Sequence, residues 1–522
     1  MLEFIKKEIK KAVGTEVDFN VSASEKEDFG HYSTNAAFKL APVLKKSPMA
    51  VAKEIELNVK GQKSNVFSKV EAVAPGFINF WLKPEILQKE LKEILKKKNK
   101  YGNLRSTTYG LRAQKINLEF VSANPTGPLT MANGRSGFYG DVLANVLENA
   151  GHKVTREYYI NDTGNQIKLL GESILAVAGK IPWKEEYYQG DYIKKLKDKS
   201  AKQATTILLK SIKASLKSAG IKHDVWFSEE KNLHKKGELK KTLQFLEKKG
   251  LVEKKDGALW LGDGVLIKSD GNPTYFLADL AYHYDKFLKR KFNLAIDIWG
   301  ADHHGYAQRM KKGIEALGVK PERLKILITQ LVRLVSGGKE VKMSKRKGEF
   351  ITLDELLKEV GAPSSAKATA GKDAARFFFL MHSLDTHMDF DLDLAKERSQ
   401  KNPVYYAQYA YVRVLNILKR ANLRLTTYDL RLLKSDSEVK LMLELVKLPD
   451  VLAQTAEDYQ VHRLTRYATE LAKAFHNFYE KERVIGFGDK NLEQSRLALV
   501  SATKIILENL FDILGISKLK KM

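Results

Sequence analysis

The chain has 522 residues, of which 43% are hydrophobic, and its 89 Lys and Arg against 63 Asp and Glu give a formal charge of +26. At ordinary domain sizes this length predicts about three or four domains. The positive charge favours a polyanionic partner, because each neutralised phosphate releases counterions, although a lysine-rich solvated surface would give the same excess. The absence of cysteine excludes disulfides and thiolate zinc sites.

The N-terminal residues, MLEFIKKEIKKAVG, are amphipathic and of mixed charge, without the apolar core of a signal peptide. No stretch of the sequence reaches the ~18 apolar residues that a membrane span requires. We therefore expect a cytoplasmic protein that has no membrane association.

Short helical and strand-like patterns alternate over residues 1–85. They end in VEAVAPGFINFWL, where Pro75-Gly76 predicts a turn before an alternating strand. Pro84 then suits the start of a helix. These patterns predict an α+β N-terminal domain over residues 1–85.

A different pattern begins at Lys115, where the strand-like INLEFVSAN leads into a Gly/Pro-rich turn, a helical stretch and a second strand, HKVTREYYIND. This order is a βαβ unit, and it returns in GVLIKSDGNPTYFLADLAYHYDKF, NLAIDIWGADHHGY and RLKILITQLVRLV. We predict a Rossmann-type, doubly wound α/β domain over residues 112–345, with a Lys/Glu-rich helical insertion over residues 178–260.

The last two parts of the chain have different compositions. Residues 346–401 include PSSAKATAG at 363–371, whose low complexity predicts an exposed loop. Residues 402–522 have a helical pattern. Three- and four-residue steps there predict one apolar face in a helix-bundle core, formed by Leu464, Tyr467, Leu471, Phe475 and Phe478.

The segment Lys342-Met343-Ser344-Lys345 carries the strongest chemical signal. Two lysines on a short loop can neutralise a triphosphate as pyrophosphate leaves. A basic surface loop is the alternative, but the position after a nucleotide-type sheet favours the functional interpretation.

Two segments predict a nucleotide site. The turn SANPTGPLTMANGR leads into a helix N-terminus, whose N–H groups can bind phosphate, although many α/β folds contain such a turn. The segment WGADHHGY ends a strand, where ligands bind in doubly wound sheets. Asp302 could accept hydrogen bonds from ribose hydroxyls, and Gly300 would let the nucleoside approach. We expect no metal site, because the adjacent histidines lack a third ligand.

Tyr275 and Asp279 are four residues apart and would share one face of a helix. A carboxylate and a phenol suit a guanidinium group, which presents five donors in a plane. A surface pair on a helix is the alternative interpretation.

Many segments, in order, resemble those of class I aminoacyl-tRNA synthetases, and of arginyl-tRNA synthetases in particular. They run nearly from end to end and include EFVSANPTGPL, REYYINDTGNQI, SDGNPTYFLADLAYHYDKF, WGADHHGY, VKMSKRKGEFITLDEL, DAARFF and NPVYYAQYA. The resemblance implies a Rossmann catalytic domain and an N-terminal domain that contacts the tRNA elbow. It also implies a stem-contact region over residues 346–401, acting through residues 373–376, and an all-α anticodon-binding bundle over residues 402–522.

The resemblance further implies ATP-dependent ligation of L-arginine to its tRNA through an arginyl-adenylate, with Mg²⁺ accompanying the nucleotide and tRNA required for activation. The enzyme would be a monomer. The implied arginine-binding residues are Glu119, Asn124, Tyr275, Asp279 and His304. The implied ATP-binding residues are Gly134, Gly300, Asp302, Met343 and Ser344, with Lys342 and Lys345 at the phosphates.

One departure from the family pattern concerns the HIGH signature, whose positions read Thr130-Met131-Ala132-Asn133. Asn133 can donate a neutral hydrogen bond and Thr130 has a hydroxyl, but neither can supply an imidazolium. Losing one preorganised donor costs about 10²–10³ in rate. A catalytically impaired tRNA-binding paralogue is therefore the alternative. The arginine-pocket residues and the intact loop lysines favour an active enzyme, in which those lysines partly offset the missing histidines.

The helical C-terminal domain would recognise unpaired anticodon bases by stacking and by contacts to base edges. We expect one or two stacking platforms, with the other candidates in the core, among Tyr405, Tyr406, Tyr409 and Tyr411.

Overall fold

The computed structural model describes residues 1–14, 17–24, 27–61, 66–106, 112–303, 305–341, 351–361, 369–421 and 427–522. His304, the Lys342-Met343-Ser344-Lys345 segment and residues 363–368 of the expected loop lie outside these ranges. Within them, no helix is long and apolar enough to cross a membrane.

The N-terminal part packs helices against an antiparallel sheet with the strand order β1-β2-β4-β3. Ile78, Phe80 and Leu82 alternate along β4 and are buried, which fixes the face of the sheet that meets the helices. The elements are α1 (Leu2–Val13), β1 (Val21–Ala23), β2 (Tyr32–Thr34), α2 (Ala36–Leu44), α3 (Pro48–Gly61), β3 (Phe67–Val73), β4 (Phe77–Leu82) and α4 (Pro84–Lys97).

The central part is built on a five-stranded sheet with the order β12-β11-β5-β6-β7, in which every pairing is parallel. Its elements are β5 (Lys115–Glu119), α5 (Met131–Asn149), β6 (Lys153–Ile160), α6 (Gly164–Val177), α7 (Asp191–Lys194), α8 (Ala201–Ser218), β7 (Val225–Ser228), α9 (Glu238–Lys248), β8 (Glu253–Lys255), β9 (Ala258–Leu261), β10 (Gly264–Ile267), α10 (Tyr275–Tyr284), β11 (Leu294–Gly300), α11 (Tyr306–Ala316) and β12 (Leu324–Thr329).

The strand order reverses between β5 and β11. The chain proceeds from β5 to β6 and β7 on one side, whereas β11 and β12 lie on the other. Such a switch point leaves a crevice at the carboxyl ends of the strands, where doubly wound folds bind ligands. The predicted pair of βαβ halves is therefore confirmed, and it places the candidate residues of β5 and β11 side by side.

Residues 178–260 are only partly helical, so the prediction of a helical insertion is wrong in part. β7 is a strand of the main sheet, where Trp226 stacks on Tyr158 with ring centroids 4.6 Å apart. β8 and β9 form a separate antiparallel sheet with β10. The dense Lys and Glu residues of the neighbouring helices hid these short strands in the sequence.

The next part adds a three-stranded sheet of the order β14-β13-β15 and three helices. The elements are β13 (Val332–Ser336), β14 (Lys339–Glu340), α12 (Leu353–Gly361), α13 (Thr369–Leu380), β15 (Met388–Asp391) and α14 (Leu392–Lys396). The expected loop over residues 363–371 is corrected at its end, because α13 already begins at Thr369. Gly371 allows the close approach of α12, since a Cβ there would lie 2.3 Å from the carbonyl oxygen of Leu357.

Residues 373–376 are buried, so the predicted contact of this motif with the tRNA stem is wrong. Asp373 and Arg376 are each 1% exposed. Arg376 donates to the Asp141 carboxylate of α5 at 2.7 Å and to the carbonyl oxygen of Gly220 at 2.9 Å. Asp373 accepts from the backbone N–H of Ser517 at 3.0 Å. The motif joins the catalytic part to the end of the chain.

The C-terminal part is the predicted helix bundle, with α15 (Pro403–Arg420), α16 (Asp436–Val446), α17 (Leu448–Asp458), α18 (His462–Lys481) and α19 (Lys490–Leu514). The predicted apolar face of α18 is confirmed as core, because Leu464, Tyr467, Leu471, Phe475 and Phe478 are all buried. The bundle contributes to one continuous hydrophobic core with α5 and the N-terminal part.

Replacing Arg376 by Met should lower the free energy of unfolding by about 3–5 kcal/mol, because it leaves the buried Asp141 carboxylate without its partner. Urea unfolding followed by circular dichroism measures this change. Arg431→Met is the matched control, since Arg431 pairs with Asp429 at the surface. Equal stabilities for the two variants would contradict the central role of the buried pair.

Candidate active site at the sheet switch point

Three carboxylates lie side by side across adjacent strands near the switch point. The register pairs Glu157 of β6 with Glu119 of β5, and Glu119 with Asp297 of β11. Paired residues of neighbouring strands are about 5 Å apart and point to the same face, so like charges at these positions repel each other. The arrangement can persist only if cations reach the same face.

Lys286 supplies positive charge to one end of this row, and His283 contacts the same end. The Lys286 ammonium lies 2.8 Å from Oε2 of Glu119 and 2.8 Å from Oδ1 of Asp297. Nε2 of His283 lies 2.9 Å from Oδ2 of Asp297, and its Nδ1 lies 2.8 Å from the carbonyl oxygen of Asp279. Burial raises the pKa of Asp297, but Lys286 and His283 outweigh it and hold that pKa well below its usual range.

Arg290 and Tyr282 bind the other end of the row. The Arg290 guanidinium donates to both carboxylate oxygens of Glu157, and the Tyr282 hydroxyl donates to Oε1 at 2.6 Å. Burial raises the pKa of Glu157, whereas Arg290 more than compensates, so this pKa lies below its usual value. Tyr282, Lys286 and Arg290 follow one another at four-residue steps along α10 and the π-helical turn after it, which places them on one face.

Glu119 is held at the carboxyl end of β5 by an unusual turn. Val121 and Ser122 have φ angles of 71° and 38°, in the left-handed region that a β-branched residue such as valine avoids. This backbone lets the Ser122 hydroxyl donate to Oε1 of Glu119 at 3.0 Å while it accepts the N–H of Tyr159. Burial raises the pKa of Glu119, and Lys286 opposes this effect without cancelling it. Strain of this kind is concentrated at functional sites.

Asp279 faces the same space from α10, and among the described residues no cationic side chain bonds to its carboxylate. The Tyr306 hydroxyl donates to its Oδ2 at 2.6 Å. Burial raises its pKa to about 6, and the negative charges of Glu119 and Glu229 add to this effect. A carboxylate whose pKa is raised in this way has a strong tendency to bind a cation.

Glu229 and Tyr159 complete this acidic pocket. Glu229 follows β7 directly, is buried, and accepts from the Thr163 hydroxyl at 3.1 Å. The Tyr159 hydroxyl bonds to Glu229, and the charges of Glu229, Asp279 and Glu119 all act on it. The pocket therefore brings at least three carboxylates close to one phenol ring, which suits an organic cation that carries several N–H donors.

Tyr275 lies at the rim of the pocket and is 55% exposed. Its hydroxyl is 3.6 Å from the position that a Cβ on Gly164 would occupy, so it reaches towards the start of α6. Asn124 follows the turn after β5 and is partly exposed. Its backbone carbonyl oxygen accepts a hydrogen bond from the N–H of Thr126. Glu119 and Asp279 are close enough to interact electrostatically, Tyr275 lies one turn before Asp279 on α10, and Asn124 follows the turn that holds Glu119, while His304 lies outside the described residues.

The sequence analysis missed Glu229, Lys286, Tyr159 and Tyr306. Position directly after a strand is the signal that selected Gly300 and Asp302 at the end of β11. Glu229 has the same position after β7, but the sequence analysis had assigned β7 to a helical insertion. Lys286 lies seven residues after Asp279, and this spacing places both on the same helix face.

Gly300 and Asp302 end β11 next to this pocket. The Asp302 carboxylate is 81% exposed and lies 3.5 Å from Nε2 of His303. A Cβ at Gly300 would lie 2.6 Å from Oδ1 of Asp302, which is the end of an exposed side chain that can move aside. The structure therefore offers a solvent-accessible carboxylate at the strand end, as predicted for a ribose contact.

The start of α5 differs from the expectation in two respects. The Thr130 hydroxyl and N–H both donate to Oδ1 of Asn133, at 3.0 and 2.9 Å, so this hydroxyl is not a free donor. Gly134 is packed in the core, where a Cβ would lie 2.9 Å from Leu353, rather than on an open nucleotide surface. The Asn133 amide nitrogen is the polar group that remains available at this turn.

Residues 351–352 lie against the start of α5. The N–H of Met131 donates to the carbonyl oxygen of Ile351 at 3.1 Å, and Thr130 forms a bridge with Thr352. Residues 351–352 come directly after the undescribed stretch that contains the lysines.

Tyr405 and Tyr409 form a partly exposed aromatic surface on α15. Their rings are nearly parallel, with centroids 6.3 Å apart, and the Arg413 guanidinium lies 4.7 Å from the Tyr409 ring. Tyr406 and Tyr409 both pack against His476, but only Tyr406 of these two also contacts the described hydrophobic core, and Tyr411 is buried and bonds to Glu508. Tyr411 is therefore excluded as a stacking platform, and Tyr405 and Tyr409 remain.

The described residues form no cluster of three or more side chains that could hold a metal ion.

Comparisons with known proteins cover the same three parts. Residues 1–82 match the arginyl tRNA synthetase N terminal domain, and residues 90–179 and 182–375 match the catalytic domain of tRNA synthetases class I (R). Residues 407–522 match the DALR anticodon binding domain. The chain belongs to the arginyl-tRNA synthetase family. The predicted family and fold class are thereby confirmed.

Relatives in this family match nearly the whole chain. The arginine–tRNA ligase of Carboxydothermus hydrogenoformans is 42% identical over 97% of this chain and 95% of its own length. The arginine–tRNA ligase of Thermotoga maritima is 39% identical over 98% of each chain. The structure of Thermus thermophilus arginyl-tRNA synthetase has the same fold, with a TM-score of 0.80 and 22% identity over 100% of both chains.

Replacing Asp279 by Asn should stabilise the free protein near neutral pH while keeping the bond from Tyr306. The carboxyl group titrates at about 6 when folded and near 3.8 when unfolded, so its destabilising effect is absent below pH 3.8 and grows as the pH rises to about 6. We expect a gain on the order of 2 kcal/mol at pH 7.5 and almost none at pH 4. Chemical unfolding at both pH values measures this difference. A gain that is independent of pH would contradict the burial of an uncompensated charge.

Proposed function

We propose that the chain ligates L-arginine to its cognate tRNA with ATP, through an arginyl-adenylate, and releases AMP and pyrophosphate. The acidic pocket at the switch point carries this proposal, because Asp279 has no cationic side chain bonded to it among the described contacts, whereas Glu229 contacts Nε2 of His234 at 3.0 Å. Membership of the arginyl-tRNA synthetase family agrees with it. The alternative of a catalytically impaired paralogue has no support from the relatives, which are arginine–tRNA ligases.

Glu119 and Asp279 would accept the N–H groups of the substrate guanidinium. These two carboxylates lie on different elements of the fold. Such a pair fits a guanidinium, which is planar and has five donors, better than it fits an ammonium group. Tyr275 would cover the side chain at the rim. Asn124 and His304 would lie towards the α-amino group, as the family resemblance implies. Glu229, which bonds to Tyr159, would extend the acidic wall.

The first chemical step joins the arginine carboxylate to the α-phosphorus of ATP and breaks the bond to pyrophosphate. Asp302 and Gly300 would hold the ribose, while Lys342, Met343, Ser344 and Lys345 would lie at the phosphates. We propose that Mg²⁺ enters with the ATP phosphates, which are its usual partners in such sites. A terminal ribose hydroxyl of tRNA then attacks the activated carbonyl, and AMP leaves.

Asn133 is the remaining polar group at the position of the missing HIGH histidines. Its Oδ1 is occupied by Thr130, so its amide nitrogen would donate to the α-phosphate. A neutral donor stabilises developing charge less than an imidazolium does, and the intact lysines would supply the positive charge. Thr130 would act by orienting Asn133 rather than by contacting ATP.

Charging of arginine-accepting tRNA with labelled amino acids, in the presence of ATP and Mg²⁺, tests this function. We expect charging with arginine alone among the 20 standard amino acids. Asp279→Asn should raise the KM for arginine by about 100-fold, because it removes a charged acceptor from the pocket while leaving the KM for ATP nearly unchanged. Tight tRNA binding without any charging by the unmodified chain would contradict the proposal.

The C-terminal bundle would bind the anticodon, and the enzyme would act as a cytoplasmic monomer, as the family resemblance implies. Stacking on a tyrosine tolerates any base, whereas a nearby guanidinium adds attraction for the backbone phosphates. Tyr405, Tyr409 and Arg413 provide this combination at the surface of α15. The formal charge of +26 suits such a polyanionic partner.

Tyr409→Ala should raise the KM for tRNA by about tenfold, since loss of one base stack costs about 1–3 kcal/mol. Steady-state charging at varied tRNA concentrations measures the effect, and kcat at saturating tRNA should change little. Leu418→Ala is a control on the same helix, because Leu418 packs against the hydrophobic core. An unchanged KM for Tyr409→Ala would exclude this surface.

A further inference from the structure

Lys286 is a fully buried ammonium group whose charge is shared by two carboxylates. Its side chain is 0% exposed, and its Nζ lies 2.8 Å from both Glu119 and Asp297. The ammonium also lies 4.1 Å from the centroid of the Tyr282 ring. These three contacts use the three N–H donors of a lysine.

Glu119 has negative neighbours on both sides, Glu157 and Asp297, because of the strand register. Among its described contacts, Lys286 is the one cation that bonds to it, since Arg290 is bound to Glu157. Ser122 donates to the other oxygen of Glu119. Removing the ammonium would leave a buried carboxylate between two like charges, and such a group takes up a proton.

The geometry assigns a positioning role to Lys286: it keeps Glu119 ionised and fixes Oε2, so that the remaining acceptor sites face the substrate guanidinium. This inference rests on the proposed function, in which Glu119 binds arginine. A protonated Glu119 would lose its negative charge and replace one acceptor with an O–H donor, which a guanidinium cannot accept, so the contact would become much weaker. Lys286 would therefore determine affinity for arginine without touching it.

The environment of Glu119 includes other titratable and charged groups that could change its response to pH. They are Glu157 and Tyr159 on β6, Asp297 on β11, Glu229 after β7, and Asp279, Tyr282, His283, Lys286 and Arg290 on α10 and the turn after it. Burial lowers the pKa of Lys286, but the three carboxylates of the row outweigh it and raise this pKa, so the ammonium stays charged at alkaline pH. Asp279 titrates at about 6. Changes in arginine affinity above pH 7 would therefore report on Glu119 when Lys286 is absent.

The test is Lys286→Met, which keeps an unbranched side chain, one atom shorter than that of lysine, and removes its charge. At pH 7 we expect the KM for arginine to rise by about 100-fold relative to the unmodified chain, with the KM for ATP nearly unchanged. Between pH 7 and pH 9 this ratio should fall at least tenfold (about one decade for each unit of pH below the pKa), because hydroxide restores the Glu119 carboxylate. A KM ratio near one, or a raised ratio that is the same at both pH values, would overturn the proposal.

Arg376→Met is the matched control, because it also removes a buried cation from a carboxylate but lies away from the pocket. It should lose stability without any pH-dependent change in the KM for arginine. A similar recovery at alkaline pH in this control would mean that the recovery reports general stability, and would overturn the assignment to Lys286.

A second measurement needs no variant and covers the case in which Lys286→Met does not fold. Calorimetric titration of arginine into the full chain at pH 8, in two buffers with different ionisation enthalpies, counts the protons released on binding. If Lys286 keeps Glu119 ionised, the release should be close to zero. Release of about one proton would mean that Glu119 is protonated in the free protein, which contradicts the proposal. Absence of arginine binding would instead refute the proposed function, and the inference with it.

Discussion

Three carboxylates on adjacent parallel strands impose the main constraint on this structure. Glu157, Glu119 and Asp297 are brought together by the strand register, and their mutual repulsion requires buried cations from the helix that covers them. Lys286 and Arg290 meet this requirement at a four-residue step. Asp279 lies about two turns before Lys286 on the same helix. The contacts that hold this helix over the carboxylates therefore also bring Asp279 to the crevice.

The site is joined to the rest of the molecule through α5. Its first turn contacts the residues that follow the lysine segment, and its middle binds Arg376 through Asp141. Arg376 in turn lies against Gly515 at the end of α19, where a Cβ would lie 2.6 Å from the guanidinium. One helix therefore contacts both the residues before α12 and, through Arg376, the end of the C-terminal bundle.

The sequence predicted the doubly wound sheet, the helical C-terminal part and the elements that carry Glu119 and Asp279, because hydrophobic periodicity and turn residues are local signals. It did not predict the carboxylate row, because strand register is a long-range property. The burial of residues 373–376 was missed for the same reason, since Arg376 finds Asp141 235 residues away and Asp373 finds Ser517 144 residues away. Thr130 was assigned to chemistry, whereas its hydroxyl bonds to Asn133 three residues later.

The central claim is that uncompensated negative charge in the crevice selects a guanidinium cation. Calorimetric comparison of L-arginine with L-citrulline, its uncharged isostere, tests this claim most directly. The account predicts that arginine binds at least about 10³-fold more tightly at pH 7.5, because citrulline would leave the Asp279 carboxylate without a cationic partner. Equal affinities for the two ligands would contradict it.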